Sequence, residues 1–292
     1  GELDNDAIFA HIFEPDVDDE EGDPETWRKV QPHLGVTVYE DFYKSEYQKA
    51  LYSADDALEF RTKLLNIFAS NSATTWIEAK QIEERFKKVQ IENITSKPPT
   101  MVGVDLSVRD DFSTVTYNLY SVDSRSFHSY TDYYFPDGAL EKHPNCELYK
   151  GWVKAGYLKL CKGDIIDYQQ IVDDILKMAN YLCIMGIGYD PYKSAEFVNL
   201  LSSSVGGEAD IINPVKQTYG TFTSPVESFE IAIYSNKISF DPNPITPYCF
   251  ANAILDEDRN CNKKPIKKTH NAKIDSTITN LMTFHLFNNL TS

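Results

Sequence analysis

The chain is patterned differently on either side of residue 100. In 39–52, Phe42, Tyr43, Tyr47 and Leu51 fall near helical spacing. A second helix is predicted from Ser53, a competent N-cap, through Leu58, Leu64, Leu65 and Phe68. Ahead of them stand an apolar run at 7–13, suited to an edge strand, and the turn-rich stretch Gln31-Pro32-His33-Leu34-Gly35. Residues 93–100 contain Lys97-Pro98-Pro99 and read as a linker, because paired prolines continue neither a helix nor a central strand. A boundary is therefore expected between a segment 1–99 and a domain 100–292.

Beyond that point strands alternate with helices. Residues 101–106 form a strand, and 113–122 and 126–135, rich in Thr, Val and Tyr, add two more in an antiparallel meander. Helix dominates 138–154, a short strand follows at 157–160, and Ile171, Ile175, Met178 and Leu182 mark one face of a helix at 167–181. Next come a strand at 184–189, a helix through Phe197, Leu200 and Leu201, and a strand near Ile211-Ile212. The remainder predicts a helix through Val226, Phe229, Ile233 and Tyr234, another at 247–254, a hairpin at 255–270 and a last amphipathic helix at 273–287. A meander followed by strands reached through crossover helices describes an α/β fold, a mixed sheet with helices on both faces. No internal repeat is visible.

Three aspartates stand at the ends of these apolar elements: Asp105 in TMVGVDLS, Asp190 in CIMGIGYDP and Asp275 in AKIDSTITNLM. Carboxylates carried at the ends of core elements can converge from distant parts of a chain and hold divalent cations, as a two-metal phosphodiesterase requires. Each also has a bland explanation. Asp190 precedes Pro191 and suits a turn, and Asp275 suits a helix start. Only the set favours metal.

Composition narrows the classes. A chain of 292 residues with 42% hydrophobic content can bury a substantial core. No stretch approaches 18 apolar residues and no charged segment followed by an apolar one opens it, so a soluble chain without a signal peptide or membrane partner is expected. Gly1 in place of Met predicts a fragment or a processed tag. Net charge is −16, and residues 1–30 carry eleven Asp or Glu against Arg28 and Lys29, a net of −9. The run at 16–25 reads as a solvated loop. This balance argues against a dedicated high-affinity nucleic-acid binder, but leaves room for an enzyme that touches DNA through one basic edge. Lys263, Lys264, Lys267 and Lys268 supply such an edge, unless they are simply a solvated hairpin. The five cysteines are scattered, with no CxxC and no histidine at ligand spacing, which argues against zinc and for reduced thiols.

The strand order and the positions of the three acids resemble the ribonuclease H-like nuclease fold. Several strings resemble tailed-bacteriophage terminase large subunits: Gly156-Tyr157-Leu158 through Gly163-Asp164-Ile165-Ile166-Asp167-Tyr168, then Gly188-Tyr189-Asp190-Pro191, Asn243-Pro244-Ile245 with Asn252-Ala253, and Lys273-Ile274-Asp275. Ile12-Phe13-Glu14-Pro15-Asp16, Asp23-Pro24-Glu25-Thr26-Trp27 and Pro32-His33-Leu34-Gly35 are similar to the segment that follows the packaging ATPase core in that family. No GxxxxGK[ST] occurs, and a packaging ATPase cannot cradle nucleotide phosphates without such a loop. The resemblance is thus to the C-terminal portion: the end of the ATPase region with an acidic loop and helical linker in 1–99, and a nuclease domain in 100–292.

The resemblance implies a metal-dependent endonuclease cutting concatemeric double-stranded DNA, a terminase small subunit and a portal protein as partners, and a place in the host cytoplasm. It implies Asp105, Asp190 and Asp275 as catalytic metal ligands for two Mg²⁺ or Mn²⁺ ions, roughly 3.5–4 Å apart by the general two-metal scheme. Asp111 falls where the family often carries a further Asp on the next strand, although it also suits a turn. Asn252 matches a family position or is a buried structural polar residue. Clustered carboxylates without metal should raise at least one pKa. Two other classes stay open. One is a non-catalytic docking and regulatory module of the packaging motor that binds portal, small subunit or DNA. The other is an actin-like sugar-kinase fold, disfavoured because Asp190 is followed by Pro191-Tyr192-Lys193 and not by a glycine-rich phosphate hairpin.

Overall fold

The computed structural model describes residues 13–16, 18–52, 54–67, 75–109, 111–192, 194–205, 210–269 and 271–291. The predicted strand at 7–13 lies outside them except for Phe13, as do Ser53 and Phe68. The chain divides into two compact units, Gly1–Ser72 and Ala73–Ser292.

In the first unit, helices α1 (Pro24–Val30), α2 (Glu40–Ala50) and α3 (Ala54–Glu59), the last continued by a wider π turn at Phe60–Leu64, bury Trp27, Val30, Tyr43, Phe60 and Leu65 together. The Tyr43 hydroxyl donates to the Leu64 carbonyl at 2.8 Å. Helix α1 was not predicted, because the acidic run hides it. Asp23 is its N-cap, accepting from the Glu25 amide at 2.9 Å, and Pro24 supplies the fixed φ of a first helical residue. The acids at 16–25 are therefore partly structural: Asp16 and Asp19 both pair with Lys29, and Glu21 with Arg61 at 2.7 Å.

The boundary at 99/100 is corrected. Trp76, Ile77 and Ile82, the last on α4 (Ala79–Glu83), are buried in the core of the second unit, and Ile91 is buried in its other large cluster. The Trp76 amide donates to the Ala253 carbonyl at 2.9 Å and its indole to Glu230 at 2.8 Å. Pro98 and Pro99 mark entry into a sheet and not a gap between bodies, since the Pro98 carbonyl already accepts from the Cys183 amide at 3.1 Å.

The second unit is built on β1 (Pro99–Asp105), β2 (Ser113–Ser121) and β3 (Ser126–Pro136), the predicted meander. Helices α5 (Asp137–Leu140) and α6 (Cys146–Lys154) lead to β4 (Lys159–Cys161), and α7 (Tyr168–Ala179) to β5 (Cys183–Tyr189). After α8 (Ala195–Val205) come β6 (Ile212–Pro214), α9 (Tyr219–Tyr234), β7 (Ile238–Phe240), α10 (Ile245–Ala251), the hairpin β8 (Ala253–Glu257) and β9 (Lys263–Lys267), and α11 (Asp275–Thr291). Among the described residues the main sheet has seven strands in the order β4-β3-β2-β1-β5-β6, with β7 added to β3. Strand β1 pairs antiparallel with β2 and parallel with β5, so the sheet is mixed.

Both faces are covered. Val102, Val104, Val115 and Tyr117 pack with Ile171 and Ile175 of α7 and Phe197 and Leu201 of α8. Met101 on the opposite face joins Phe222, Val226 and Phe229 of α9 and Ile278, Leu281 and Met282 of α11. The last helix departs from the expected amphipathic form: every residue of 275–284 is buried. Its polar positions meet polar positions of the sheet. Thr279 bonds Thr116 at 2.6 Å, Asn118 donates to Thr283 at 3.0 Å, and Ser129 donates to Asn280 at 2.8 Å. Hydrogen bonding of this kind is what lets polar groups be buried at small net cost.

Candidate active site

The topology collects the three acids at one end of the sheet. Strands β1 and β5 run parallel with Val104 opposite Tyr189, so Asp105 and Asp190 emerge side by side from adjacent strands. Helix α11 brings Asp275 to the same end, and Gly103 permits its approach. A Cβ there would lie 2.2 Å from the carbonyl oxygen of Thr279, one turn beyond Asp275. Asp105, Asp111, Gln217, Lys267 and Asp275 line one cleft of about 230 Å³.

The charges in this cleft disturb one another. Burial, then the neighbouring Asp190 and Asp111, push the Asp105 carboxyl up to about 7, with Lys267 acting in the opposite sense. Burial, then Asp111 and Asp105, drive the Asp275 carboxyl well above the carboxylate range. Asp275 is 6% exposed, and its Oδ2 is buried with no hydrogen-bond partner. A buried acceptor left unmade is costly, so this oxygen could serve as a ligand. Oxygen donors of this kind suit a hard divalent cation such as Mg²⁺ or Mn²⁺. Among the described residues no three His, Cys, Asp or Glu side chains are already drawn around one point. Lysines intervene instead.

Asp111 sits in the β1–β2 loop and not on the next strand, and both of its oxygens are engaged: Oδ2 with Lys267 at 3.0 Å and Oδ1 with Lys273 at 2.8 Å. Burial works against the Lys267 charge, but Asp111, Asp275 and Asp105 outweigh it and its pKa is raised. Asp190 fills the turn role as well as facing the acids. Its Oδ1 accepts from the Tyr192 amide at 2.9 Å and its Oδ2 from the Gln217 side chain at 2.6 Å.

Of the four hairpin lysines, Lys267 alone borders the acid cleft. The Lys264 ammonium lies over the Tyr219 ring at 4.6 Å, the Lys263 amide donates to Thr223 at 2.9 Å, and the Lys268 amide donates to the carbonyl of Asn252, the C-cap of α10. Gln217 and Lys273 were missed by sequence reasoning. Lys273 stands two residues before Asp275 and could have been flagged by proximity. Gln217 carries no motif, and reaches Asp190 only because β6 pairs with β5 and the Val215 amide bonds the Tyr189 carbonyl at 2.7 Å.

With this geometry established, similarity to known proteins becomes informative. The chain is 28% identical over 300 residues to the protein YmfN of Escherichia coli (strain K12), an alignment spanning 97% of this chain and 63% of that protein. Its fold is similar to the crystal structure of the HK97 bacteriophage large terminase, with a TM-score of 0.64 at 19% identity over 94% of this chain and 56% of that one. The chain therefore spans under two thirds of the length of either. Residues 2–289 match the family described as terminase large subunit, endonuclease domain, and this chain belongs to that family.

Proposed function

We propose that this chain is a divalent-metal-dependent endonuclease that hydrolyses double-stranded DNA during viral genome packaging, with two Mg²⁺ or Mn²⁺ ions as cofactors. The observation that carries this reading is the cleft that Asp105 and Asp275 line together, with Asp190 near enough to raise the Asp105 carboxyl and one buried carboxylate oxygen unpartnered. Asp105, Asp190 and Asp275 would hold the cations, and Asp111 joins them only by releasing a lysine. Bound divalent cations supply nucleophile activation and leaving-oxygen stabilisation in phosphodiester hydrolysis.

The chain's own residues do the rest. Gln217 orients Asp190 by its 2.6 Å hydrogen bond, and the turn to Tyr192 fixes the other oxygen of that carboxylate. Lys267, at the rim of the acids, offsets their mutual repulsion before metal arrives and is placed to meet a substrate phosphate. Portal protein and terminase small subunit are the partners we assign to the longer packaging protein, with the host cytoplasm as its place of action. Among the described residues no helix is long and apolar enough to cross a membrane.

The test is nicking of supercoiled plasmid in Mn²⁺ or Mg²⁺, with and without chelator, by the wild type and Asp275→Asn. Metal-dependent nicking lost in the variant is expected. Absence of nicking by the wild type, or undiminished nicking by Asp275→Asn, overturns the assignment.

A further inference from the structure

A second, larger cleft of about 810 Å³ adjoins the acids and shares Asp111 and Lys267 with their cleft. Four segments build it: the β1–β2 loop with Arg109, the α5–α6 loop with Lys142 and His143, the segment after β5 with Tyr192, and the stretch from the end of β9 to α11 with Lys267, Asn271 and Lys273. Among the described residues lining it, Asp111 is the one acid, against Arg109, Lys142, Lys267 and Lys273. Asp111 is itself neutralised by two of those lysines. On a chain of net charge −16, four cations gathered around one paired carboxylate define a local field suited to a polyanion.

The individual side chains agree with that field. Lys142 is exposed and makes no ion pair among the described residues. Tyr192 is 71% exposed, two residues beyond Asp190, and its backbone is tied to the Asp190 carboxylate. An exposed aromatic ring next to a cationic groove is the pairing that holds nucleic acid by stacking and phosphate contact together. Lys263, Lys264 and Lys268 line neither cleft.

We propose that DNA approaching the acids lies along this second cleft, its phosphates held by Arg109 and Lys142 and a base or sugar resting on Tyr192, with the distal hairpin lysines outside the track. This assignment rests on the nuclease reading for its substrate class but is read out by binding alone.

The experiment measures fluorescence anisotropy of a short labelled duplex with the full chain in chelator, across a salt series. Arg109→Ala and Lys142→Ala should each weaken binding by roughly 5- to 10-fold near 0.1 M salt, and should lower the slope of log affinity against log salt by about one. Tyr192→Ala should weaken binding with the salt slope unchanged, which a purely electrostatic surface would not give. Lys142 is exposed, so its variant keeps the test decisive if Arg109→Ala folds poorly. Wild-type binding that survives both substitutions, or that is lost instead in Lys263→Ala and Lys268→Ala, overturns the track, as does absence of wild-type binding. A chain that binds through Arg109 and Lys142 yet never nicks in Mn²⁺ would sink the nuclease reading and leave the track standing.

Discussion

The carbonyl oxygen of Thr279 occupies the space where a side chain on Gly103 would begin, 2.2 Å from an ideal Cβ. A backbone atom cannot swing aside as a side chain can. Helix α11 therefore rests on β1 only because residue 103 is glycine. Gly103→Ala should push the helix outward at a cost of roughly 1–3 kcal/mol, the range for overpacked cores. It should also carry Asp275 away from Asp105 and reduce nicking. Urea denaturation beside a nicking assay checks this, and an unchanged midpoint would mean that the close approach is not required.

Stability of the metal-free chain should depend on pH through Asp105. An unfolded Asp titrates near 4, whereas in the fold this carboxyl is pushed up to about 7. Between these values the folded chain holds more protons than the unfolded one, so stability falls as pH rises through that window. Asp105→Asn lacks this slope. Its thermal midpoint in chelator, relative to wild type, should climb from about pH 4 to about pH 7 and then level off. Parallel curves for the two proteins would contradict the crowding of acids at this site.

Asp190→Asn should abolish nicking with a small change in stability. The turn to Tyr192 needs only an oxygen acceptor, which Asn retains. The Gln217 contact can be kept if that side-chain amide turns to present its oxygen, so the loss stays within about 1 kcal/mol, the worth of one hydrogen bond. Nicking and thermal midpoint measured together decide the matter. Full nicking would reduce Asp190 to a turn former.

The unit boundary predicts the behaviour of truncations. A chain of 73–292 keeps Trp76, Ile77, Ile82 and Ile91 in its cores and should fold cooperatively. A chain of 100–292 loses all four and should be markedly less stable or insoluble, since each buried large apolar side chain contributes on the order of 2 kcal/mol or more. Equal melting of the two would restore the boundary at the prolines.

Much of the fold was legible in the sequence because it is written locally. The alternation in 113–135, the Asp190-bearing apolar run and the periodic spacing in 167–181 each specify an element from its own residues, and their order implies a mixed sheet. The ends of those elements also marked Asp105, Asp190 and Asp275 as candidates, since a carboxylate where a buried run stops is visible in one dimension. Family membership followed from strings such as Gly156-Tyr157-Leu158 and Lys273-Ile274-Asp275.

Tertiary structure decided what depends on which surfaces meet. Thr116 and Asn118 alternate with Val115, Tyr117 and Leu119 and look like a solvent face, yet they are buried beneath α11, whose Thr279 and Thr283 hydrogen-bond to them. The unit boundary moved because Trp76 and Ile82 find their burial against helices more than a hundred residues away. Gln217, the double lysine hold on Asp111 and the cationic cleft at Lys142 were likewise invisible, because each arises from loops that adjoin only once the sheet is assembled. Periodicity reports how one segment partitions between water and an apolar interior, whereas pairing of charged and polar groups is set by the three-dimensional neighbours that the fold supplies.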